Sequence, residues 1–413
     1  MRVVLGRSEG LRGEITPWPS KFFTQFSVAL AALGEGRSEI GSPLAVEDTL
    51  CLLPSLKKLG VEVKRTPRKW TVWGTAGKPM PTAGAVDAKG SATSLSLLCS
   101  ISALAGKTVV VTGNPSLRSR PLPELLRGLQ RVGVSVLSSK ETDSPPFVIM
   151  GARLRGGRVK LNMPDKYLPS LILPCLFGER NYHLQVKGGR RLEMALKLLA
   201  AGSVKIASDG GLRIPREVPK GFRTTVPPDP DLLAPFSTLA VLSDSKILIR
   251  GEEEGIFLSL LRRFGLKERK RGKTILIEGP QPPTPTKLDV SGFPEFFPLL
   301  CVTACFAKGT SVLFGLSPAR KAKTDRVSTM VKSLRKMGAR IKEDSNRVII
   351  RGPSVLRGCT VDPGEDPCTA AALAVAGLLA EGQTIIENAQ ALRLTYPAFL
   401  ASLRRLGVEL TVG

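Results

Sequence analysis

The stretch "LPSLKKLGVEVK", Leu53 to Lys64, holds the end of one element and the start of another. Leu53, Leu56 and Leu59 recur at helical spacing, with Lys57 and Lys58 on the other face. Gly60 then stops the helix, because the residue past a helix C-terminus takes φ > 0, where a Cβ clashes with the backbone. After it, Val61 and Val63 alternate with Glu62 and Lys64, the period of a half-buried strand. The junction returns as "LLRGLQRVGVSVL" (125–137), "ALKLLAAGSVKI" (195–206), "LLRRFGLKER" (260–269), "SLRKMGARIK" (333–342) and "SLRRLGVELTV" (402–412). The glycines Gly60, Gly133, Gly202, Gly265, Gly338 and Gly407 stand 63 to 73 residues apart. One supersecondary unit is therefore used six times, each copy needing neighbours to bury its faces.

A second mark precedes each junction. An Ala/Leu-rich helix stops at a turn and a β-branched strand begins, as in "ALAALGEGRSEI" (29–40), "SALAGKTVVV" (102–111) and "AGLLAEGQTII" (376–386). The fourth copy, "LAVLSDSKILI" (239–249), diverges most, with Ser243-Asp244-Ser245 in place of glycine. Each unit thus holds two helices separated by strands, an α/β chain. Pro, Gly and charge concentrate in "PREVPKGFRTTVPPDPDL", Pro215 to Leu232, which predicts a linker with three units on each side. "GPQPPTPTKLD", Gly279 to Asp289, reads as a local loop.

The net charge of +25 attracts anions: phosphorylated metabolites, nucleic acid or acidic lipid. Aromatics are only 5% of the chain, so its cores are aliphatic and few rings lie among the basic clusters to stack on single-stranded nucleic acid. No uncharged apolar run reaches the length of a membrane span and no signal-peptide block opens the chain, so a cytoplasmic protein is expected. The seven cysteines form no C-x-x-C pair and lie mostly in apolar runs, which predicts buried thiols and no metal site. His183 is the only histidine, and its strand-like surroundings "RNYHLQV" favour packing over catalysis.

Lys21 is set at the start of an apolar helix, in "TPWPSKFFTQFSVALAALGEG" (16–36), where the helix dipole already favours anions. Together with the six units, with "GNPSLRSRP" (113–121) and with "KTDRVSTMVKSLRKMGARI" (323–341), it makes the chain resemble the enolpyruvyl transferases over nearly its whole length. The resemblance implies an inverted α/β-barrel-like, two-domain fold with three units per domain: 21–225 as one domain, 1–20 plus 226–413 as the other. It implies crossovers near Lys21 and near Arg223 to Asp229. It also implies closure over two anions, phosphoenolpyruvate and shikimate 3-phosphate, and transfer of the enolpyruvyl group through a tetrahedral intermediate with loss of phosphate. No cofactor and no metal are expected, and the protein is expected to be a monomer.

Residue by residue, Lys21, Arg120 and Arg326 match the family's phosphoenolpyruvate grip, with Thr324 and Asp325 kept beside Arg326. Forked guanidinium groups suit phosphate and carboxylate. Glu295, in "GFPEFF", falls where the family places its catalytic base, so Lys21 and Glu295 are the catalytic candidates. Gly90 and Ser91, in "AKGSATS", keep part of a substrate-binding loop. Arg120 precedes a helix that Pro121 or Pro123 would open, an anion-binding geometry. A structural ion pair with Asp325 or Glu343 is the alternative use of Arg326, and a solvated surface position is that of Lys21.

Several family residues are absent. Phe22 and Phe26 stand where a serine and an arginine hold the shikimate phosphate. "MPDKYLPS" (163–170) has no match to the family's Ser-Ser-Gln block. Ala322-Lys323 replaces a Lys-Glu pair, and the family's His-Arg pair falls at about Asp366-Pro367. These departures predict weak binding of shikimate 3-phosphate unless Lys166 or Arg191 reaches in to replace the missing charge. Two further readings stay open: a paralogue that binds another anionic ligand or a partner, and nucleic-acid binding.

Overall fold

The computed structural model describes residues 1–208, 210–251 and 254–413. They form two compact units, Pro19–Pro227, and Met1–Trp18 with Pro228–Gly413. Six helices carry almost only apolar and small side chains. They are α1 (Lys21–Leu33), α2 (Ala92–Ser102) and α3 (Leu168–Cys175) in the first unit, and α4 (Ala234–Leu242), α5 (Phe297–Cys305) and α6 (Pro367–Leu379) in the second. A helix that is apolar all round has no face to offer water and must be enclosed. All residues of α3, α4 and α5 are buried, and in α1 only Lys21 is not.

Four-stranded sheets enclose them, three in each unit, and all follow one plan. In the second repeat Ala85–Asp87 runs parallel to Val109–Thr112, which pairs antiparallel with Phe147–Ala152, which pairs antiparallel with Val134–Ser138. The buried α2 makes the crossover between the two parallel strands, and the amphipathic helix Pro123–Arg131 leads into Val134–Ser138. The two marks read along the sequence are therefore the two helix-to-strand junctions of each repeat.

Three sheets take strands from far along the chain. Arg223–Thr225 lies parallel to Arg37–Gly41, so the segment read as a linker supplies an edge strand of the first sheet. That strand has only three residues, exposed, half-buried and exposed in turn, and leaves no alternation to read. In the other unit, Leu11–Ile15 runs parallel to Ser245–Arg250 and Val3–Gly6 runs antiparallel to Gln383–Ile386. The two chain segments at the unit boundaries run side by side: Ser20 N donates to Pro227 O, and Asp229 N to Trp18 O, each at 2.8 Å.

Five of the six junction glycines take the left-handed backbone, Gly60 at φ +81° among them. Gly202 does not. Its φ is −80°, and Ser203 at φ +68° carries the turn instead. There the helix Arg190–Ala201 runs up to Gly202, whose carbonyl accepts from Lys220 N at 2.9 Å. At Gly60 a Cβ would also meet Met80 O at 2.6 Å, whereas at Gly407 it would meet nothing within 4 Å. Gly407→Ala is expected to cost about 1–2 kcal/mol, the left-handed penalty alone, and Gly60→Ala distinctly more, as measured by urea unfolding of the two variants.

Candidate functional site

In the first unit the site is built on the starts of buried helices. Ser20 caps α1, its Oγ accepting from Phe23 N at 3.4 Å, which puts Lys21 in the first turn. Lys21 Nζ lies 2.9 Å from Asp48 Oδ2, and the Asp48 side chain is only 6% exposed. One turn on from Lys21, Gln25 Nε2 donates to Asp48 O (2.8 Å), Ser91 Oγ (3.0 Å) and Ser94 Oγ (2.9 Å). Ser91 is the N-cap of α2, accepting from Ser94 N at 3.2 Å. Lys21 and Ser91 are thus joined through one buried polar network. Gly90 is buried in the turn before α2, and the left-handed residue of that turn is Lys89 at φ +50°. Cys51 faces the same network, donating to Asp48 O at 3.3 Å, and burial pushes its thiol up to about 12.

Sequence reasoning missed Asp48, Gln25 and Ser94. Gln25 left a signal, as a polar residue four positions after Lys21 in an otherwise apolar run. Asp48 left none.

A second group of cations gathers on aromatic rings of this unit. Phe22 and Phe26 stack at 5.8 Å, both buried, and the Arg191 guanidinium stands 5.6 Å above Phe22. Lys166 Nζ stands 4.7 Å above Tyr167. Burial pushes the Tyr167 phenol up to about 12, opposed by the nearby Arg120 and Arg191. Arg120 is half-buried just ahead of the helix opened by Pro123, as expected. Asp165, in the unmatched "MPDKYLPS" block, turns its carboxylate onto the start of the helix Arg190–Ala201 and accepts from Gly189 N, Arg191 N and Leu192 N. That helix start, a natural anion cradle, is filled by the chain's own carboxylate.

In the second unit Arg326 opens the helix Arg326–Lys336, and Asp325 is its N-cap. The partners expected for Arg326, Asp325 and Glu343, are not its partners. Asp325 and Glu343 both pair with Arg320, and Arg326 pairs with Asp366. Arg326 Nε lies 3.1 and 3.0 Å from the two Asp366 oxygens, and Nη2 lies 2.9 Å from Oδ2. Asp366 is fully buried, caps α6, and accepts from Thr369 N (2.9 Å) and Thr369 Oγ1 (3.1 Å). Burial by itself would lower the pKa of Arg326; the Asp366 carboxylate, helped by Cys368 and Glu295, more than reverses this and holds it above its usual value. Burial likewise works to raise the pKa of Asp366, and Arg326 and Thr369 override it, so the carboxyl stays below its usual range. Glu295 sits exposed in the turn before α5, within electrostatic reach of Arg326. The Thr324 hydroxyl is buried with no partner among the described residues. Among those residues no group of three His, Cys, Asp or Glu is placed to hold a metal, and no helix is long and apolar enough to cross a membrane.

The family model of EPSP synthase (3-phosphoshikimate 1-carboxyvinyltransferase) matches residues 6–403. The chain is 30% identical to a 3-phosphoshikimate 1-carboxyvinyltransferase of Methanocella arvoryzae, over 97% of each chain. It is 28% identical to one of Methanococcus aeolicus, over 99% of this chain and all of that one. An EPSP synthase structure from Acinetobacter baumannii superposes over the full length of both chains with a TM-score of 0.82 at 22% identity, which establishes the fold.

The Asp366 carboxyl titrates lower in the folded chain than its unfolded value of about 3.9. Its stabilising contribution is therefore fully present above that value and is lost as pH falls through the lower folded one. Removing one partner of a buried pair typically costs about 3–5 kcal/mol. Asp366→Asn is expected to be less stable than the parent by that order at pH 7, with the gap narrowing below about pH 4, as read from urea unfolding at several pH values.

Proposed function

Because the chain belongs to the EPSP synthase family, we propose that it is a 3-phosphoshikimate 1-carboxyvinyltransferase taking its enolpyruvyl group from phosphoenolpyruvate. The match of the family model to residues 6–403 carries this reading. In the reaction the acceptor hydroxyl adds to the central carbon of phosphoenolpyruvate while the methylene carbon takes a proton. The tetrahedral adduct then loses inorganic phosphate and a proton from that same carbon. Phosphates and carboxylates must be neutralised, and one group must move protons. Lys21, Arg120 and Arg326 are the proposed cationic contacts of phosphoenolpyruvate, and Glu295 is the proposed proton carrier. The pairing of Lys21 with buried Asp48 and of Arg326 with buried Asp366 supports these roles, because each cation is held in one place.

The acceptor phosphate needs its own cation. Phe22 and Phe26 carry no charge, and taken alone they predict weak acceptor binding. Arg191 beside Phe22, with Lys166 and Arg120 near Tyr167, supports a different grip for the same group. Gly90 and Ser91 contribute the shape of the loop more than free hydrogen bonds, since the Ser91 hydroxyl is engaged by Gln25 and Ser94.

The test is phosphate release from phosphoenolpyruvate with shikimate 3-phosphate as acceptor. Release matched one to one by loss of acceptor is expected, and no release at any acceptor concentration would sink the assignment. Arg191→Ala is expected to raise KM for shikimate 3-phosphate by about tenfold or more, the scale of a lost charge-assisted contact, with KM for phosphoenolpyruvate nearly unchanged. Lys21→Met is expected to lower kcat/KM by about a hundredfold, as loss of a preorganised transition-state charge contact does.

A further inference from the structure

Asp366 is an unusually constrained carboxylate. As the cap of α6, ahead of Pro367, it has a backbone set by the helix start. Its Oδ1 takes the Thr369 amide and the Thr369 hydroxyl, its Oδ2 takes Arg326 Nη2, and Arg326 Nε is shared between the two oxygens. The loop leading to it is held too. Gly364, at φ +63°, donates to Asp362 Oδ1 at 2.7 Å, and a Cβ on Gly364 would meet Thr324 Cγ2 at 2.8 Å.

Two hydrogen bonds along one edge of a guanidinium fix its plane as well as its position. Nε and Nη2 are turned to Asp366 and Nη2 also donates to Cys368 Sγ at 3.7 Å, whereas Nη1 donates to none of the described residues. Arg326 and Asp366 also cancel as formal charges, so the pair adds little long-range field. What it offers an anion is a set of directed donors.

We propose that Asp366 is the positioning residue for Arg326, holding the guanidinium so that Nη1 is presented to a phosphate or carboxylate group of phosphoenolpyruvate. This rests on the reading of Arg326 as a phosphoenolpyruvate contact. Thr369, by fixing the Asp366 carboxylate, acts one step further back.

The experiment compares Arg326→Ala, Asp366→Asn and Thr369→Val with the parent. Phosphoenolpyruvate affinity is read both as KM in turnover and as Kd by calorimetry, at a temperature where circular dichroism shows each variant folded. Asp366→Asn is expected to weaken phosphoenolpyruvate by about tenfold or more while KM for shikimate 3-phosphate stays within about twofold. A role confined to stability would leave both constants of the folded variant unchanged. In the Arg326→Ala background, Asp366→Asn is expected to add no further loss. Thr369→Val keeps both charges and is expected to move phosphoenolpyruvate affinity the same way by about threefold. If Arg326→Ala leaves that affinity unchanged, the reading of Arg326 as a contact fails. If Arg326→Ala weakens it and Asp366→Asn does not, the positioning role is overturned. Should Asp366→Asn not fold, Thr369→Val decides: an unchanged phosphoenolpyruvate affinity overturns the role, and a selective loss upholds it.

Discussion

Six helices with no polar face set the terms for this molecule. A helix such as α5, buried at every position, is stable only when covered all round. Each unit meets that demand with three four-stranded sheets, and it recruits strands from wherever the chain can supply them. The strands Val3–Gly6, Leu11–Ile15 and Arg223–Thr225 close sheets whose other strands lie far away in sequence. Covering the helices and completing the sheets are one requirement.

The same constraint decides where charge can stand. Placing an ion against the middle of such a helix would leave it desolvated and unpaired, at a cost of several kcal/mol. Charged side chains and their caps therefore stand at the helix starts. Lys21 opens α1, Ser91 caps α2 and Asp366 caps α6. Where a cation is drawn inward, a buried carboxylate meets it, Asp48 for Lys21 and Asp366 for Arg326. The two pairs differ in kind. Lys21 offers a compact charge on a flexible stem and is 29% exposed, whereas Arg326 is forked, 13% exposed and fixed in plane.

Around Phe22 and Phe26, positive charge comes from another part of the chain. Phe22 and Phe26 extend the apolar face of α1 and stack on each other. A ring face attracts a cation, and Arg191, contributed by the third repeat, stands over Phe22. Asp165 meanwhile fills the helix start beside Arg191, which leaves the guanidinium as the cationic group there. The region around the two phenylalanines therefore carries positive charge although they carry none.

The sequence by itself determined the architecture, because its signals are local and repeated. Gly60 and its counterparts punctuate helix from strand through backbone conformation, which needs no partner, and the Ala/Leu-rich runs announce burial through composition alone. Even there the exception at Gly202 depended on how far its helix runs. The short edge strand Arg223–Thr225 was hidden because three residues carry no period. The candidate cations Lys21, Arg120 and Arg326 were legible through their motifs, but their partners were not. Asp48 lies 27 residues from Lys21, and Asp366 lies 40 residues from Arg326. An ion pair across such a separation leaves no pattern in either segment, since a carboxylate looks the same whether solvated or buried against a guanidinium. Only the packing of the helices decided which carboxylate faces which cation, and so which donor atoms remain to meet a ligand.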